Sequence, residues 1–155
     1  MGVGYNSPLP IAATVYVYPG PKDFSVLPAL KSKDMSEALL NQHFKLCKQD
    51  ITRNHREAKF LGEGNCTITQ GKNKFEGRKA TYSFDYKFGP QAVESISEIY
   101  VFLLEPGVKF LATDRHFVKY RVTYPAAMKS EAESETSAFM AKLPWPVKEQ
   151  KKAKP

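Results

Sequence analysis

The sequence predicts an α+β fold: an antiparallel β-sheet meander with helices packed on it, in the order β-α-β-β-β-β-α. Three observations carry this expectation. Period-two alternation marks residues 75–88 and 109–124 as strands. An apolar stripe at helical spacing runs through Leu40, Phe44, Cys47 and Ile51. Breakers at Gly71-Lys72-Asn73, Gly89-Pro90 and Glu105-Pro106-Gly107 separate the later apolar runs at the spacing of a meander. The 155 residues suffice for one good core, and 42% hydrophobic with 25% charged residues is an ordinary globular composition that excludes disorder and low complexity.

The first strand spans 11–18 (IAATVYVY), rich in β-branched and aromatic residues and stopped by Pro19-Gly20-Pro21. A loop over 19–33 leads to a helix from about 35 to 55. Asp34 is its expected N-cap, with Glu37 three residues on. Residues 58–69 form the next strand, with Phe60, Cys66 and Ile68 on one parity and glycines at 62 and 64 either weakening the middle or marking a bulge. In 75–88, Ala80, Tyr82, Phe84, Tyr86 and Phe88 alternate with Lys79, Thr81, Ser83, Asp85 and Lys87. Residues 95–104 turn apolar on both parities, so that strand should be central and covered on both sides. In 109–124, His116, Val118, Tyr120, Val122 and Tyr124 oppose Arg115, Phe117, Lys119, Arg121 and Thr123. A second helix over 126–143 points Met128, Ala132, Thr136, Phe139, Met140 and Leu143 inward, and Pro144-Trp145-Pro146 stops it. No linker or repeat divides the chain, which reads as one domain over 1–146 and a basic tail over 147–155.

This element order resembles the PsbP-type fold, an antiparallel sheet between helices found in an extrinsic photosystem subunit and in Ran-binding relatives. The phrases "ATVYVYPG", "HFVKYRVTYP" and "FMAKLPWP" are similar to uncharacterised bacterial secreted proteins of that kind. The resemblance implies a non-enzymatic accessory or binding domain and transfers no functional residue. The helix-grip fold shares much of the order and would imply an apolar ligand cavity, although the final helix here is short for it.

The chemistry-bearing residues are sparse. His43 and His55 lie twelve positions apart on one helix, ~18 Å of rise, too far to share a metal. His116 falls on the apolar parity of its strand. No HExxH, GxSxG, P-loop or CxxC occurs, so no catalytic residue, metal or cofactor is expected. Gly62-Glu63-Gly64 lacks the third glycine and following helix of a dinucleotide loop. Asn65-Cys66-Thr67 fits the N-glycosylation pattern but sits in mid-strand. Cys47 and Cys66 are expected to stay unpaired, because a strand running back along the helix separates their Cα atoms beyond the ~7 Å a disulfide tolerates.

Net charge is +7, of which Lys148, Lys151, Lys152 and Lys154 against Glu149 supply +3 in the tail. The remaining charge is too thinly spread for a nucleic-acid stripe. The polar parities of two strands offer Lys79, Lys87, Arg115, Lys119 and Arg121, with Phe117 among them. If those strands lie together, they form a basic sheet face that could dock an acidic protein. A non-catalytic binding module is therefore the first functional expectation. The alternative is an apolar-ligand carrier, its cavity lined by the aromatic parities of 80–88 and 116–124. A third is an enzyme whose His and carboxylate meet across the sheet. The start, Met1 to Pro8, carries neither a basic n-region nor an apolar h-region. The first strand nevertheless begins abruptly, which fits a processed or trimmed product, secreted or periplasmic in that case, as well as it fits a complete cytosolic protein. The longest apolar run, Ile99 to Leu104, is far short of the ~20 residues of a membrane helix.

Overall fold

A computed structural model describes residues 2–6, 9–21, 32–104 and 115–142. The elements are β1 (Gly2–Asn6), β2 (Ala12–Pro19), α1 (Ser32–Asn54), β3 (Lys59–Gln70), β4 (Asn73–Phe88), β5 (Gln91–Leu104), β6 (His116–Pro125), a 3-10 turn at Ala126–Met128, and α2 (Lys129–Lys142). All six strands join one antiparallel sheet in the order β1-β2-β6-β5-β4-β3. The α+β class and the antiparallel meander are thus present, with one strand more than the sequence predicts.

That extra strand is β1. It pairs with β2 from Gly2 opposite Tyr16 to Asn6 opposite Ala12. Its two glycines and single β-branched residue give no alternation to read, so backbone pairing with β2 defines it. The helix also begins earlier than expected: Asp34 lies inside the first turn of α1, where its charge suits the helix dipole, and does not cap it. Glu37 bonds to β4 through Arg78 Nη2 at 2.9 Å. Strand β5 starts four residues early, directly after the Gly89-Pro90 turn. Gly89 has φ 73° and proline holds φ negative, which makes this two-residue hairpin turn type II′. Most of the 19–33 loop, residues 109–114, Leu143, Trp145 and the tail lie outside the described residues.

The register assigns each side chain to a face, because directly opposed residues share one. One row reads Ala80, Ile99, Arg121, Thr14; the next reads Lys79, Tyr100, Tyr120, Val15. Helix α1 packs over β4 and β5 on the first face. There Leu40, Phe44, Cys47 and Ile51 meet Ala80, Tyr82, Phe84, Ile99 and Val101. Helix α2 packs over β3 and β6 on the second face, where Ala132 and Phe139 meet Tyr120, Val122, Tyr124, Phe102 and Ile68. Strand β5 is buried on both sides, as its doubly apolar sequence requires: Ile99 and Val101 point to α1, and Tyr100, Phe102 and Leu104 to α2.

Candidate functional site

The register divides the basic residues singled out from the sequence. Lys79 shares a row with Tyr100 and Tyr120 on the α2 face, and the unbroken pairing of β4 with β5 keeps Lys87 on that face too. Phe117, Lys119 and Arg121 occupy the other parity of β6 and face α1. Arg115 precedes β6, and its carbonyl accepts a bond from Gly20 N at 2.7 Å. The expected single basic face is therefore two separate sets, with β5 between their strands. The aromatic rows of 80–88 and 116–124 also lie on opposite faces, each filled by its own helix, so they cannot line one cavity.

Nor is the expected sheet face open to solvent at Phe117 and Lys119. Both are buried, Lys119 with 8% of its surface exposed. Lys119 is paired directly with Tyr16 of β2, and its Nζ lies 5.0 Å from the Tyr16 ring centroid and 5.8 Å from that of Tyr18. An ammonium over aromatic faces recovers part of what it loses on leaving water. Arg121, half-buried, stands opposite Thr14 one pleat further along. Among the described residues, no carboxylate lies within ion-pair distance of either cation. Desolvation pulls the Arg121 guanidinium below its ordinary value.

Two histidines, His43 of α1 and His55 just beyond its end, close over the ends of this strip. His43 stacks on Phe117 at 4.1 Å and meets the edge of Tyr18 at 5.2 Å. Burial, then the nearby Lys119 charge, hold its pKa below the usual histidine range. His55, just past the helix end, stacks on Phe84 at 4.0 Å and accepts a bond from Arg121 Nη2 at 2.9 Å. Burial first and the guanidinium second depress its pKa as well. Burial raises Tyr18, against the pull of Lys119. Beyond β2 the pairing continues onto β1, with Gly2 opposite Tyr16 and Gly4 opposite Thr14. The result is a cationic strip edged by tyrosines, and its composition suits an anionic group.

Several charged groups elsewhere are matched internally. The cleft of about 370 Å³ between α1 and β3 contains Lys48, Glu63 and Arg78. Lys48 pairs with Glu63, while Arg78 bonds Glu37 and Asn41. On the α2 face, Glu98 is buried and takes Lys79 Nζ at 2.6 Å and Tyr100 Oη at 2.7 Å. Lys79 is thus committed to an internal ion pair. Among the described residues no three of His, Cys, Asp and Glu converge as metal ligands. Sequence reading missed Tyr16, Tyr18, His43 and His55 as members of the site. The shared parity of Tyr16 and Tyr18 was visible, but their pairing with β6 was not. In comparisons with known proteins, the chain matches no family model and no curated sequence.

Proposed function

We propose that the protein is a non-catalytic accessory domain that docks an acidic segment of a partner protein on the Lys119–Arg121 strip. The observation that carries this reading is the pair of covered cations on one face of β6 with no carboxylate partner among the described residues. Charges withdrawn from water are normally paired. Two that lack a carboxylate among the described residues, held beside Tyr16 and Tyr18, are suited to carboxylates from outside, with the tyrosines offering flat contact area and hydroxyl groups. A PsbP-type likeness belongs to the same proposal, and what supports it is an antiparallel sheet with one helix on each face. No described helix is long and apolar enough to cross a membrane.

The test is binding of the full chain to an immobilised aspartate-rich peptide across a salt series. Affinity should fall steeply with added salt. Arg121→Ala should weaken binding about tenfold, the loss of one charge-assisted contact. Lys87→Ala, on the opposite face, should leave it unchanged. Equal losses for both variants would reduce the interaction to net charge and sink the proposal.

A further inference from the structure

The contact between Arg121 and His55 admits one protonation state. A guanidinium only donates, so His55 Nε2 at 2.9 Å must carry its lone pair. The ring is therefore neutral, with its proton on Nδ1, 4.0 Å from Glu57 Oε1. The groups facing this pair come from each packed element. Phe84 of β4 lies against the ring, Glu57 of the following turn lies beside Nδ1, and the hydroxyls of Tyr16 on β2 and Tyr86 on β4 act on Arg121. Among the described residues, Glu57 is the carboxylate placed to receive a charged His55, and its side chain is largely exposed. The bond to His55 uses guanidinium capacity that would otherwise be available to a ligand.

We propose that His55 is a proton-operated latch on Arg121, so that the docking strip binds acidic segments more tightly when His55 is protonated. This rests on the docking reading above. One proton from solvent adds to Nε2, and the acceptor becomes a second donor facing the guanidinium. Two cations with opposed N–H groups cannot keep that contact. The imidazolium turns toward Glu57, Arg121 regains its Nη2 donors, and the strip gains a third positive charge. Reciprocity follows: a bound carboxylate raises the affinity of His55 for its proton. His55, which the docking reading alone leaves as a neighbour, becomes the residue that frees Arg121 below its titration point.

The experiment measures hexa-aspartate binding to the full chain between about pH 7.5 and 5.5, across the ordinary histidine range, where the peptide stays ionised. The same samples follow the His55 ring signals by NMR. Affinity should rise several-fold toward the acid end. His55→Gln should abolish that rise while His43→Gln retains it. In the free chain His55 should titrate below ordinary histidine, moving up in Arg121→Gln and in the peptide complex. Peptide binding that is equal at both ends of the range overturns the latch and leaves docking intact. Absence of binding at every pH overturns the docking reading and the latch together. A His55 titration that ignores Arg121→Gln overturns the latch even if peptide binding varies with pH.

Discussion

Cys47 and Cys66 lie on opposite sides of the same sheet. Cys47 projects from α1 into the cluster with Leu40, Phe44 and Val101, while Cys66 on β3 joins the core beneath α2. Both are free thiols. The sequence argument reaches the same outcome from distance along the chain, but a layer of backbone is the firmer barrier.

Burial pushes both thiols up to about 11, so almost no thiolate exists at neutral pH. Modification by a thiol-specific reagent should therefore be slow in the native protein and complete on unfolding. Labelling of the native chain at the rate of a free cysteine would contradict the burial. A disulfide found in the folded monomer would contradict the topology.

Lys119 should tolerate loss of charge better than reversal. Lys119→Met keeps the buried stem between Tyr16 and Tyr18 and should change stability by no more than about 1 kcal/mol. Lys119→Glu removes both ring contacts and buries a carboxylate among aromatic faces, at a cost of about 3 kcal/mol or more. Denaturant titration separates the two. Equal, small effects would mean the position is wetter than its 8% exposure implies.

Acid should destabilise the fold through its histidines. The pKa values of His43 and His55 are lower in the native state than the ordinary ~6.5 of an unfolded chain, so the unfolded state takes up protons first as pH falls. Their contribution is complete above that value, declines as pH drops through it, and levels off below the native pKa values. His43→Phe, which can keep the stacking on Phe117, should remove part of the slope in a plot of denaturation midpoint against pH. A midpoint that climbs between neutrality and pH ~5.5 would reverse the sign and refute the assignment.

Gly77 is the least replaceable glycine described. It is paired with Phe102, and an added Cβ would press into the Val101 carbonyl oxygen and lie 2.6 Å from Phe102 Cδ1. Gly77→Ala should cost about 2–3 kcal/mol, because backbone and a fully buried ring must both move. Gly64→Ala on the outer strand meets nothing within 4 Å and should be nearly silent. Thermal melts of the two variants make the comparison.

Local pattern made much of this fold legible before any coordinates. The 40/44/47/51 stripe is buried throughout, and β5 is central as its two apolar parities require. Hidden from the sequence was the relation between one strand's parity and another's, which only register supplies. That gap is why Lys79 and Lys119 read as one patch. The same gap hid the site's histidines. Twelve helical residues rise ~18 Å and four strand residues ~13 Å, so His43 and His55, unrelated along α1, reach Phe117 and Arg121 at two ends of one short stretch of β6.

The sheet order sets a timetable for synthesis. β2 is flanked by β1 and β6, the first and last of the described strands. As the polypeptide leaves the ribosome, the β1–β2 hairpin has its inner edge unmatched until β6 emerges about 100 residues later, roughly 5–20 s at ordinary elongation rates. The β3–β4–β5 meander can form meanwhile from neighbouring segments, but it ends at β5 with the same missing neighbour. Strand β6 therefore joins two half-sheets at once. A chain stalled short of Pro125 would present two open backbone edges to chaperones and to other nascent chains.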